Sequence, residues 1–541
     1  MTRTWPDRSP LLLVSAALAL VAAATGMLAS ASAEEGPRSG AVPTAVCGPG
    51  SRPETGLQGR IPPEDVASGR AAQGYTCNAE EVGFFPSSAG WRVERYGDCA
   101  YYNGEPGGAP LFLATDPLRA GTYVMDVSDP GNPVETAFLR SPAMATPHES
   151  MSLSQARGLL VAVTGNLATL PGIVDVYDVA TDCRSPRLLS SLNLGGILGH
   201  EGGLSPDGNT YYVGSTGGGT LTAVDISDPR LPVPIAVEQV SSHGLSVSAD
   251  GNRLYDTVTS GPDAGMIIYD VSGIQAREPG AGFEVVSRVS WPEISIPQST
   301  IPVTIGGRPY VIESDEFSSG STIGASRIID ISDEQAPRVV SNLRLQVHEP
   351  ENAEVVAGDT PALIGGPYSG HFCSVPRLVE PGIVACAMLR SGVRVFDITD
   401  PVAPREVAYF SPPAAQDCLV AGAGPKPCLH TGSTVAFVPE RSELWISGQE
   451  SGFHVVRLTN GVFGSSPAPP AAGPAAPPAA GPPAGGPEVR PGAPDDGRPA
   501  LAGARARNLP ATGAATASGL TALALLATAG VLRWRSTGRP D

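Results

Sequence analysis

One phrase returns along this chain, and it limits the fold more than any other feature. A strand rich in β-branched residues runs into an aspartate, then a Ser or Thr, and often Asp-Pro. It reads Tyr123-Val124-Met125-Asp126-Val127-Ser128-Asp129-Pro130, then Val176-Tyr177-Asp178-Val179, then Ala223-Val224-Asp225-Ile226-Ser227-Asp228-Pro229. It continues as Ile267-Ile268-Tyr269-Asp270-Val271-Ser272, Ile328-Ile329-Asp330-Ile331-Ser332-Asp333 and Val393-Arg394-Val395-Phe396-Asp397-Ile398-Thr399-Asp400-Pro401. A degenerate copy closes the series at His454-Val455-Val456-Arg457-Leu458. The short polar side chains suit a turn, and proline stops the ladder. The copies are spaced like four-stranded propeller blades with loop insertions.

Each copy sits in the same surroundings. A second apolar strand follows it, such as Val134–Leu139 or Glu406–Phe410. Another strand precedes it, such as Leu159–Val163, Tyr211–Val213 or Leu444–Ile446, behind tight turns such as Ser205-Pro206-Asp207-Gly208. The expectation is an all-β, seven-bladed β-propeller over residues 78–460. Residues 78–85 look like the strand that normally follows a phrase, and none follows Leu458. They are therefore expected to close the last blade beside 452–458, removing an open ring end. The phrase resembles the LVIVD repeat of secreted propeller-like proteins. That resemblance implies the fold and, since its members mostly lack an assigned activity, implies no function.

The two ends of the chain speak of location. Arg3 and Arg8 precede an apolar run from Leu11 to Leu28, and Ala31-Ser32-Ala33 is a small-x-small cleavage site, so 1–33 reads as a signal peptide. Residues 34–77 form an N-terminal arm. Residues 461–508, rich in Pro, Ala and Gly, cannot bury a core and read as a disordered, extended stalk. Leu509-Pro510-Ala511-Thr512-Gly513 then precedes an apolar run long enough to cross a bilayer, ending in Arg533-Trp534-Arg535. Residues 509–541 resemble the LPxTG cell-wall sorting signal of Gram-positive surface proteins. The resemblance implies that sortase cuts after Thr512 and joins its carboxyl to peptidoglycan, so the helix meets the membrane only transiently. The protein is then secreted and wall-anchored. Its net charge of −18 argues against nucleic acid as a partner.

Eight cysteines in an exported chain point to disulfides rather than metal thiolates. Cys373 and Cys386 face each other across a hairpin, and Cys418 and Cys428 bracket a short loop. Cys47 with Cys77 can tether the arm, which leaves Cys99 and Cys183 by elimination.

Five of the seven histidines, His148, His200, His243, His371 and His430, stand at or just before the first strand of a blade. Gln298 holds the corresponding place in another unit. First strands line a propeller's channel, so these groups, with Glu149 and Glu201 behind them, can ring one mouth. Three roles are open: latches to a neighbouring backbone carbonyl, ligands of a metal such as Cu or Zn, or a metal-free pocket. If metal binds, His200, His243 and His371 are the favoured ligands, because Gly199, Gly202, Gly244 and Gly370 leave room around them. Glu149, Glu201 and Gln298 would then support the ligands. His348 reads as a surface residue, His454 as packing, and Glu313, Asp315 and Glu316 as a solvated loop or a Ca²⁺ cluster. No Ser-His-Asp order or phosphate-binding loop stands out. The leading function is a surface binding module for an unidentified ligand. The alternative is a metal-dependent oxidoreductase or hydrolase using the channel-mouth histidines.

Overall fold

Every phrase becomes the third strand of an antiparallel blade, and in six of the seven an aspartate folds back to make the turn that follows. Asp126, Asp178, Asp225, Asp270, Asp330 and Asp397 each accept the backbone N–H two residues on, at 2.8–3.0 Å. Asp129, Asp182, Asp228, Asp333 and Asp400 repeat the device a few residues later. The phrase acids are therefore turn residues, as their spacing implied.

The computed structural model describes residues 40–464, apart from 88–89, 105–119, 166–171, 196–198, 317–322, 358, 360–367, 415–430 and 449–450. The leader, most of the stalk, the sorting signal, His430, Cys418 and Cys428 lie outside the described residues.

Seven sheets make seven blades, and six of them run from an inner to an outer strand in chain order. The inner strands are Val93–Tyr96, Ser152–Ser154, Glu201–Leu204, Ser242–Val247, Ile296–Ile305, Phe372–Ser374 and Ala436–Val438. Third and fourth strands are joined through a register shift in each blade, for example at Ala223/Val224 and Val395/Phe396. Such a bulge adds twist and lets the outer strand splay from the ring.

The last blade takes its outer strand from the other end of the chain. Ala79–Phe85 pairs antiparallel with Gly452–Leu458, from Ala79 opposite Leu458 to Phe85 opposite Phe453, with the same kind of shift at Glu81/Gly83. The ring closes where Val93, Ala100, Tyr102 and Met125 of the first blade pack on Trp445, Phe453 and Val455 of the seventh. Just before this strand, Tyr75–Cys77 adds a fifth strand to the sixth blade. The arm is clamped there by Arg394, buried between Glu54 and Glu406.

Among the described residues three disulfides hold the head: Cys47–Cys77 on the arm, Cys99–Cys183 between the first two blades, and Cys373–Cys386 across a register pair of the sixth. Two expectations fail. His348 is buried; its Nδ1 accepts the Leu345 N–H at 3.0 Å and its Nε2 donates to the Tyr368 carbonyl at 2.7 Å. Glu313 and Asp315 are not in a solvated loop but buried on a strand. Both pair with the buried Arg327, whose guanidinium lies 4.1 Å from the Trp291 ring.

Candidate functional site

The approach to each inner strand brings one residue to the mouth of the channel. His148 lies before Ser152–Ser154, His200 directly before Glu201–Leu204, His243 in Ser242–Val247, and His371 directly before Phe372–Ser374. Equivalent positions in stacked blades share one radius and height, so the four imidazoles meet. The His148 and His200 ring centroids are 4.5 Å apart, and those of His200 and His243 4.7 Å apart. His148 holds a left-handed backbone (φ 49°), a conformation that costs a non-glycine residue free energy and collects at functional sites.

A carboxylate occupies the centre. Glu149, expected behind the imidazoles, reaches in among them. Its oxygens lie 3.1 Å from His200 Nε2, 3.1 Å from His371 Nε2, 3.6 Å from His243 Nε2 and 3.5 Å from His148 Nδ1. Glu316 faces it, 3.3 Å from His371 Nε2 and 3.8 Å from His243 Nε2. The Nε2 atoms of His200 and His243 are 2.9 Å apart.

The other ring nitrogens decide which way the imidazoles point. His243 Nδ1 donates to the Pro297 carbonyl at 3.0 Å, and His371 Nδ1 to the Gly432 carbonyl at 2.6 Å. Each acceptor belongs to the next blade. These two histidines latch neighbouring blades through Nδ1 and present Nε2 to the centre. Fixing a ring in this way is what a metal-ligating histidine needs.

The charges are strongly coupled. Burial opposes ionisation of Glu149, but His148, His200 and His243 outweigh it and hold the carboxyl well below its ordinary range. Burial also works against a charged His243 and His371. Hydrogen bonds and charge from Glu149 and Glu316 prevail, raising His243 to about 9 and His371 to about 10. Burial, reinforced by His148, pushes His200 down to about 4. Without an ion, then, His243 and His371 carry protons that neutral His200 and the carboxylates accept.

Behind this cluster stands a second layer. Arg92 donates through Nε to the Glu149 carbonyl at 2.7 Å and pairs with Glu201. The other oxygen of Glu201, Oε2, is buried without a partner, and Gly244 must stay bare because a Cβ there would fall 2.1 Å from it. Gln298 is fully buried with both amide atoms unpartnered. The sequence reading missed Trp91 and Arg92, and it placed Glu316 in an acidic loop rather than beside the histidines. Trp91 packs on the His371 ring at 4.5 Å and occupies the place that histidine takes in other blades. Its position just ahead of Val93–Tyr96 was the available signal. Glu316 ends a second strand, where the repeat gives no hint of it.

Comparison with known proteins adds little. No family model and no curated protein matches the chain. Many solved structures do match. One is the β-propeller domain of Cps50 (Swd1) from Myceliophteria thermophila, 12% identical with a TM-score of 0.45, covering 70% of this chain and all of that one. A putative 6-phosphogluconolactonase from Bacteroides uniformis is 12% identical with a TM-score of 0.43, covering 60% and 84%. A periplasmic gluconolactonase from Pseudomonas aeruginosa is 15% identical with a TM-score of 0.43, covering 62% and 86%. Likenesses this distant bear on neither ligand nor reaction. The seven blades rest on the strand pairing itself.

Proposed function

We propose that the channel mouth is a transition-metal centre and that the protein is a metal-dependent enzyme displayed outside the cell. His200, His243, His371 and Glu149 are the ligands, with His148 and Glu316 completing the surround. One observation carries this reading. Atoms sharing an ion at bond lengths near 2.0–2.2 Å stand roughly 2.8–3.6 Å from one another. Nε2 of His200, His371 and His243 lies 3.1, 3.1 and 3.6 Å from a Glu149 oxygen, Nε2 of His200 and His243 are 2.9 Å apart, and ligand atoms of His148, Glu149 and His200 all fall within 4.8 Å of one another. Mixed imidazole and carboxylate donors suit Zn, Cu or Fe rather than Ca or Mg. Such an ion supplies Lewis acidity or electron transfer, so zinc would mark a hydrolase and copper an oxidoreductase.

The test is metal analysis of the purified full-length protein, after chelation and reloading. The expected result is about one ion per chain, lost in a His200→Ala, His243→Ala double variant. Wild-type metal content in that variant, or none after loading, would remove the reading.

Export and wall anchoring belong to the same proposal. Three disulfides favour an oxidising compartment, and the terminal segments supply leader, stalk and sorting signal. Sortase and peptidoglycan are the implied partners through Thr512. A surface-binding role is supported by a second feature, a chamber in the channel beyond the cluster.

A further inference from the structure

Below the Arg92–Glu201 pair the channel widens into a chamber of about 660 Å³. Inner strands of several blades wall it, and its volume suits a small organic molecule. Its cationic side chains are already engaged. Arg92 is held by the Glu149 carbonyl and Glu201. Arg95 donates to the carbonyls of Gly97 and Phe437 and pairs with Glu440. Hydroxyls on the wall are engaged too: Thr300 donates to Tyr255, Thr434 to Val93, and Ser374 accepts from the Val435 N–H.

The carboxyls differ. Glu201 lines the chamber, but Arg92 holds one of its oxygens and the other is buried beside Gly244. Glu94 also lines it and makes no ion pair or side-chain hydrogen bond among the described residues. It is half-buried. Burial raises its pKa to about 7, against the pull of Arg92. Leu245, Ile301 and Val375 give apolar wall between these polar groups.

We propose that this chamber binds a small organic cation, an amine with a short apolar body, whose ammonium pairs with Glu94. The site does not depend on the metal centre.

The test is calorimetry on the purified full-length protein, in chelated and in metal-loaded form, with n-butylammonium chloride, 1-butanol and sodium butyrate. Butylammonium should bind both forms, at least tenfold more tightly than butanol, and butyrate should not bind. Glu94→Gln should weaken butylammonium about tenfold and leave metal content unchanged. If that variant fails to fold, a butylammonium-induced rise in wild-type melting temperature, absent with butanol, carries the test. Equal binding of amine and alcohol, amine binding only to the metal-loaded form, or full affinity in Glu94→Gln would each overturn the proposal. Because the chelated protein is tested alone, its outcome is separate from that of the metal reading.

Discussion

His348 should make the head acid-sensitive by an amount that its two hydrogen bonds fix. Its Nδ1 accepts a backbone N–H, so protonation there would set two hydrogens against each other. Burial, aided by Arg344 and Arg394, holds its pKa down at about 4, against 6.5 for a free imidazole. A histidine depressed in the folded state stabilises above its unfolded pKa and loses that contribution as pH falls through the folded one. The window is pH 6.5 down to about 4. The shift is worth about 3 kcal/mol. The effect should spread, because the Tyr368 whose carbonyl His348 holds also bonds the arm at Ile61 and the buried Asp359. Urea unfolding at pH 7, 5.5 and 4 measures it, with His348→Gln as the reference. Glutamine can keep the donor to Tyr368 but does not titrate. It should cost about 1–3 kcal/mol at pH 7, where the Leu345 N–H loses its acceptor. At pH 4 it should match or exceed the wild type. A gap between the two proteins that stays constant with pH would refute the argument, since other acid-titrating groups are common to both.

Removing residues 79–85 should expose the Gly452–Leu458 edge, lower the melting temperature of the whole head and promote self-association; an unchanged melting temperature would break the closure argument. Gly83→Ala should act in the same direction, because its Cβ would lie 1.9 Å from the Pro130 carbonyl oxygen. Opening Cys373–Cys386, which closes 13 residues, by double substitution to serine should cost about 3 kcal/mol in denaturant unfolding. Thr512→Ala should leave the chain unprocessed in the membrane fraction; release only by muralytic digestion would contradict the sorting signal.

The fold was legible because one local device repeats. An aspartate that caps its own turn leaves a mark in sequence, and each mark ends a third strand. The closing strand was legible for a related reason: a blade lacking its fourth strand at one terminus matches a spare strand at the other. Long-range pairings left no such mark. Arg327 lies opposite Glu313 on the neighbouring strand, and only the register reveals that this arginine pairs with Glu313 and Asp315. His348 looked exposed because its segment interrupts the repeat, and what buries it includes an arm nearly 300 residues away in sequence. Convergence of the histidines was readable from position. Glu149 at their centre, and Trp91 in place of another histidine, required the actual ring.

Latch and ligand were set against each other in the sequence, yet under the proposed metal centre they fall on different atoms of one ring. His243 bonds Pro297 through Nδ1 and faces Glu149 through Nε2. Asparagine and glutamine separate the two roles, because the asparagine amide falls near Nδ1 and the glutamine amide near Nε2. His243→Asn can still donate to the Pro297 carbonyl but has no atom at the centre. It should keep the wild-type melting temperature within a few degrees and lose most metal affinity. His243→Gln leaves the Pro297 carbonyl without its donor, a loss of about 1–3 kcal/mol for a buried group, and lowers the melting temperature. Metal titration and thermal unfolding of both variants separate the cases. If asparagine retained metal, the inward nitrogen would not be a ligand. If asparagine destabilised the head as much as glutamine, the carbonyl bond would not be what joins the blades. Each nitrogen therefore has its own assay, and either assignment can fail while the other stands.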